Sequence, residues 1–267
     1  MAFHWIFIAY MNSVVRERFM YQTAYLVLTL LVLPFFLITL FCSDYRRPAF
    51  WTAIACIPAG IIGEFWLIPD YWDPQYFFPL ASDPWRFGLE DIIFTGALAG
   101  ISAAVFEFFA KRQGLPGSPP ISLRTFFAME GYGLFGCIIM IFGFHVLDLT
   151  AINALFVSIG FTLILMIRSC RSCLMIMVLP AGAIAVIYNA ILIAVFSPLY
   201  PNVFETVWNL PNTWGVFFYG VPAEELVWAF LTAWYCGALY RIAATTSFPI
   251  GRTFWKGIIG TAFLKKS

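Results

Sequence analysis

The sequence predicts an all-α polytopic membrane protein: about seven transmembrane helices, arranged as two parallel three-helix repeats joined by a connecting helix. Three observations predict it. Of the 267 residues, 62% are hydrophobic and 11% charged, against about 45–50% and about 25% in soluble domains. Apolar runs of membrane-spanning length recur along the whole chain, and one acidic motif occurs twice at matching places among them. The same composition excludes other classes. With 15 Lys and Arg against 14 Asp and Glu there is no net field to draw in nucleic acid. The hydrophobicity excludes disorder, and six cysteines are too sparse for a disulfide scaffold.

A bilayer core of about 30 Å takes roughly 20 apolar residues per helix. The runs 20–42, 50–69, 89–110, 125–147, 149–167, 173–197 and 222–243 meet that length. Met1 to Tyr10 is apolar but too short to span, and it lacks the basic stretch and cleavage site of a signal peptide. Residues 1–19 are therefore expected as an interfacial segment. Residues 20–110 make the first repeat, 111–148 the connecting helix and 149–244 the second repeat. In 245–267, Phe254, Trp255, Ile258, Ile259 and Phe263 alternate with Arg252, Lys256, Lys265 and Lys266, a pattern for an amphipathic tail on an anionic leaflet.

Charge gives the expected orientation. With seven spans, Arg16, Arg18 and Arg86 fall on one face and the other 12 basic residues on the opposite one. The positive-inside rule then puts the C-terminus in the cytoplasm and the N-terminus outside, as in a cell (inner) membrane. The acids sort the other way. Asp70, Asp73, Asp83, Glu90, Asp91, Asp148, Glu205, Glu224 and Glu225 lie at or near the non-cytoplasmic helix ends, beside loops rich in Trp, Tyr and Phe.

Two segments 134 residues apart resemble each other. Trp85-Arg86-Phe87-Gly88-Leu89-Glu90-Asp91-Ile92-Ile93-Phe94 is matched by Tyr219-Gly220-Val221-Pro222-Ala223-Glu224-Glu225-Leu226-Val227-Trp228. Each runs from an aromatic through Gly or Pro to an acidic pair, with another aromatic three residues on. Each opens a span, the third and the seventh, so both enter from one face. That implies parallel repeats about a pseudo-twofold axis along the membrane normal, with the acidic pairs around a shared cavity. A single pair at a helix start is explained by the macrodipole, worth about 0.3–1 kcal/mol. Two pairs in matched positions at membrane depth point to function. Consecutive helical residues point about 100° apart, so one acid of each pair is expected to face the cavity.

The Pro-x-Glu-Glu-x-x-aromatic form of 222–228, its cousin at 88–94 and the three-plus-three hydropathy resemble the integral-membrane lycopene cyclases. Bacteria make these as two small subunits and fungi as one fused domain; most of this chain is arranged like the fused form. It departs in Gly88, where the family usually has Pro, and in Val227-Trp228, where Phe-Phe is common.

The resemblance implies a redox-neutral isomerisation that needs no cofactor and no metal. An acid protonates the terminal double bond of a linear carotenoid ψ-end, the neighbouring double bond closes a ring on the cation, and a base removes a proton to leave a β-ionone ring. Burial and a neighbouring carboxylate are the usual means of keeping such an acid protonated, which makes Glu90, Asp91, Glu224 and Glu225 the candidate catalytic residues. The cation needs electron-rich walls within about 6 Å. Trp85, Phe87, Phe94, Tyr219 and Trp228 flank the pairs, and Tyr71, Trp72 and Trp214 lie in adjoining loops. Glu64, and His145 with Asp148, which are expected to share a helix side at i+3, are possible auxiliaries. The partners would be a linear carotenoid such as lycopene and the lipid bilayer. A homo-oligomer or a complex with other carotenoid-pathway enzymes is conceivable, and nucleic acid is not expected.

Other signals weigh less. Gly131-Tyr132-Gly133-Leu134-Phe135-Gly136 has dinucleotide-site spacing but lies inside a span, without the strand that site requires; helix packing is the plainer reading. Cys170-Arg171-Ser172-Cys173 has no second half-site, and His4 and His145 are the only histidines. Asp70-Tyr71-Trp72-Asp73 lacks the second Asp-rich motif of a diphosphate site. Glu224-Glu225 begins like an intramembrane glutamate-protease motif, but residue 229 is Ala where that motif has Arg. Glu107 is expected to pair with Lys111 at i+4. The alternative function is a non-enzymatic carotenoid- or lipid-binding membrane protein, or a transporter.

Overall fold

The computed structural model describes residues 2–245, with side chains from Met20 onward; the amphipathic tail expected at 245–267 lies almost wholly outside the described residues. The helices are α1 (Ala2–Cys42), α2 (Arg46–Asp70), α3 (Leu89–Arg112), α4 (Leu123–His145), α5 (Ala151–Ser169) and α6 (Arg171–Ile191). A π-helical stretch, Leu192–Phe196, carries α6 into the single turn α7 (Ser197–Leu199), and α8 (Val203–Val207) and α9 (Ala223–Thr245) follow. Seven of these segments are long and apolar enough to cross a membrane among the described residues. All seven overlap the expected spans. Residues 2–19 continue α1 without a break, so they are not a separate element.

The chain forms helices where it does because a spanning segment must satisfy its backbone internally. Its ends are marked by polar groups. Ser122 caps α4 by accepting the Thr125 N–H at 3.1 Å. Asp70, at the end of α2, accepts the Ala151 N–H at 2.7 Å and so closes the start of α5. Gly100 of α3 lets helices approach: a Cβ there would come within 2.3 Å of the Phe36 ring and 2.9 Å of the Ala49 carbonyl.

The packing repeats itself. α2 lies along α3, α6 lies along α9, and α3 and α9 meet in the middle, while α4 packs against α2, α5 and α9. Two small hairpins stand before the two central helices. β1 (Pro79–Ala81) pairs antiparallel with β2 (Phe87–Gly88), directly ahead of α3; β3 (Phe217–Phe218) pairs with β4 (Val221–Pro222), directly ahead of α9.

Two local expectations are corrected. α4 ends at His145, and Asp148 sits in a turn with φ +54°, so the two share no helix face. Glu107 does not pair with Lys111. It is buried against Arg241 of α9, which donates to both its oxygens, Nε to Oε1 at 3.0 Å. Ser118 also donates to it at 2.7 Å. Lys111 faces Asp44 at 4.0 Å instead. At the start of α6, Cys170, just ahead of the helix, and Cys173 in its first turn form a disulfide.

Candidate active site

Both acidic pairs occupy the first turn of their helix and are buried. Within each pair the two acids diverge, as the 100° rotation requires. The first acid of each pair turns back to its hairpin. Glu90 Oε1 accepts the N–H groups of Phe77 and Phe78 at 2.8 and 3.0 Å, and Glu224 Oε1 accepts the Trp214 N–H. The remaining oxygens, Glu90 Oε2 and Glu224 Oε2, have no partner among the described residues. The backbone matches as well: Leu89 donates to the Phe78 carbonyl and Ala223 to the Val216 carbonyl, both at 2.9 Å.

The second acids are buried too, but of the four only Glu225 borders the aromatic space between the helices, so the pairs do not surround one cavity as expected. Glu225 accepts three hydrogen bonds: from the Tyr71 hydroxyl at 2.9 Å, the Tyr188 hydroxyl at 3.0 Å and the Trp208 indole at 2.9 Å. Asp91 accepts the Gly88 N–H at 2.8 Å, with the Tyr25 and Tyr76 phenols beside it. Gly88 is required by that arrangement, since a Cβ there would lie 2.4 Å from the Tyr76 ring. Burial pushes the Tyr76 phenol well above its ordinary value, and the nearby Glu64 and Asp91 add to the effect. Burial does the same to Tyr71, reinforced by Glu225. Both phenols are therefore held neutral, and Tyr71 donates to Glu225.

The loops carrying these groups are tied together. Trp72 and Trp208 form an isolated antiparallel bridge, with Asp73 donating to the Val207 carbonyl at 2.6 Å and Asn209 to the Tyr71 carbonyl at 2.8 Å. Beneath this bridge lies a chamber of about 60 Å³. Glu64 and Glu225 border it, and its walls include Tyr25, Tyr71, Trp72, Phe94, Tyr188, Trp208 and Trp228. Glu64 accepts a hydrogen bond from the Trp72 indole at 2.9 Å. No Lys, Arg or His forms an ion pair with Glu64, Asp91 or Glu225 among the described residues. The site can therefore hold carboxyl groups against electron-rich rings with no resident cation to neutralise them.

Of the aromatics expected as lining, Tyr71, Trp72, Phe94 and Trp228 line the chamber. The other four lie elsewhere. Trp85 is exposed and packs on Phe65 at 4.8 Å, and Phe87 is taken up in β2. Tyr219 is 87% exposed in a turn. Trp214 is exposed, its indole donating to Asn153 at 2.9 Å. His145 accepts from the Trp66 indole at 3.0 Å, away from the chamber. Sequence reasoning missed Tyr25, Tyr188 and Trp208. The signal for the two tyrosines was available, as phenols inside otherwise apolar spans need a partner. Compared with models of protein families, with curated proteins and with solved structures, the chain matches none.

Proposed function

We propose that this protein is a carotenoid cyclase that closes linear ψ-ends, such as those of lycopene, into β-ionone rings without net redox change. The observation that carries the reading is Glu225, a carboxyl held by Tyr71, Tyr188 and Trp208 on the wall of an aromatic chamber with Glu64 also on its border.

The roles follow from the contacts. Glu64 accepts one hydrogen bond and borders open space, so it is the group free to carry a proton and hand it to the terminal double bond. The positive charge then moves along the end group as the ring bond forms. The faces of Trp72, Phe94, Trp208 and Trp228 attract it electrostatically. Glu225, with its oxygens fixed by three donors, is the acceptor aimed at that charge and takes the departing proton. One proton enters and one leaves, which balances the isomerisation. Asp91 is the counterpart of Glu225 in the first repeat, and Glu90 and Glu224 are positioning residues that fix each helix start to its hairpin. On the same reading the chain sits in the cell (inner) membrane with its N-terminus outside and the chamber towards the non-cytoplasmic face.

The test is expression in a lycopene-accumulating bacterial host, followed by pigment chromatography. The expected result is conversion of lycopene to γ- or β-carotene. Unchanged lycopene, with the protein present and folded, overturns the reading; pigment that co-purifies unreacted would instead mark a carotenoid binder.

A further inference from the structure

A second space, of about 140 Å³, lies between α2, α4, α5 and α9. It shares Glu64, Leu67, Thr95 and Trp228 with the chamber, so the two lie side by side against these four residues. Its lining runs from Trp228 to Cys236 on α9 and from Glu64 to Cys56 on α2, which is about 12 Å along either helix and away from the acidic ends.

Its walls are bare. Gly60 and Gly63 of α2 face Gly133 and Gly136 of α4 across it. Glycine in a membrane helix ordinarily allows a neighbouring helix to come close, and Gly60 does this against Thr95. Gly63 does not: a Cβ there would meet no atom within 4 Å. At Gly133 it would meet only the Ala59 Cβ, at an ordinary 3.5 Å. These two residues leave room where a side chain would fit. Two of the wall hydroxyls are already engaged, since Ser158 donates to the Gly136 carbonyl and Thr162 to the Ser158 carbonyl. Water held in such a space would want about three polar partners. What suits this one is a long, thin, apolar chain.

Taking the cyclase reading as its basis, we propose that this glycine-walled cavity binds the linear polyene trailing behind the reacting end group. Bound there, the chain is drawn past Glu64 and Trp228 so that its terminal double bonds sit in the chamber. Gly63 and Gly133 then set which substrates are accepted.

The experiment compares full-length wild type with Gly63→Ala, Gly63→Phe and Gly133→Leu in liposomes. Each is assayed with lycopene and with a truncated polyene that keeps the ψ-end and lacks most of the chain. Gly63→Phe and Gly133→Leu should lower lycopene conversion on the order of tenfold or more, because the end group is no longer held in register. Conversion of the truncated compound should change by less than about twofold, and Gly63→Ala, which adds a single methyl to the cavity, should lower lycopene conversion less than Gly63→Phe does. The two large substitutions come from opposite walls, so one tests the proposal if the other fails to fold. A wild type that converts lycopene but not the truncated compound also supports it, since the missing segment is the one the cavity grips. Folded variants that convert lycopene normally, or lose both substrates equally, overturn the cavity assignment while leaving the cyclase reading intact. A wild type inert towards both compounds overturns the cyclase reading, and this inference with it.

Discussion

Phe94 and Trp228 stack on one another, ring centroids 6.0 Å apart and planes 12° from parallel, although 134 residues separate them. Glu107 and Arg241, which meet at the far end of the same two helices, are separated by the same 134 residues. Near the hairpins, Trp72 and Trp208 pair through their backbones at almost that spacing. Equivalent positions of two repeats touch each other only on the axis that relates them. The two contacts at the shared offset, both between α3 and α9, are what an axis between parallel repeats requires, and the chamber lies beside it.

Glu225→Gln should lower ring closure by roughly 10²–10⁴-fold while the protein stays folded, the range for losing a positioned acid or base. Glu224→Gln should retain most turnover and instead lose stability, by about 1–3 kcal/mol for a disturbed buried hydrogen bond. Pigment chromatography and thermal unfolding of both variants check the pair. Equal turnover in the two would contradict the division of labour between them.

Glu64→Gln should match Glu225→Gln in turnover if, as proposed, each carries one half of the proton transfer. Trp72→Phe removes the only hydrogen bond to Glu64 among the described residues but keeps an aromatic wall. Its turnover should fall by about tenfold, as expected for one hydrogen bond of about 1.5 kcal/mol to a functional group. Initial rates with lycopene distinguish the two outcomes.

Alkaline pH should destabilise the protein through Tyr71 and Tyr76. Both phenols ionise less readily in the fold than in the unfolded chain, where ionisation begins near a pH of about 10. Above that value the unfolded state releases protons that the folded state retains, so stability falls as pH rises. Unfolding midpoints taken on either side of this pH should drop, and they should drop less in Tyr71→Phe and Tyr76→Phe.

Arg241→Leu and Glu107→Leu should each destabilise by about 3–5 kcal/mol, because each strands a buried charge. The double substitution should cost less than either single change. Thermal unfolding of the three variants reads this directly, and additive losses would show that the pair is not coupled.

The spans were legible in the sequence because a lipid-facing helix must be apolar over its full length, whatever it packs against. The acidic pairs were legible for a similar reason: few charges are tolerated there, so their positions carry information. The lining was legible only in part. Whether Trp85 or Trp208 reaches the chamber depends on how a short hairpin folds, and both loops are equally aromatic. Helix-local reasoning paired Glu107 with Lys111 and His145 with Asp148. The first pair lost to a guanidinium on another helix, and the second to a chain that leaves the helix at His145 and reaches Asp148 in a turn.

The ion pair between Glu107 and Arg241 has a consequence for ancestry. If the two halves arose from one duplicated segment, a pair of identical ancestors would have set two carboxylates, or two guanidinium groups, against each other on the axis. Opposite charges at that point mean that the halves have diverged into lock and key. At that point each half now complements the other and would repel a copy of itself.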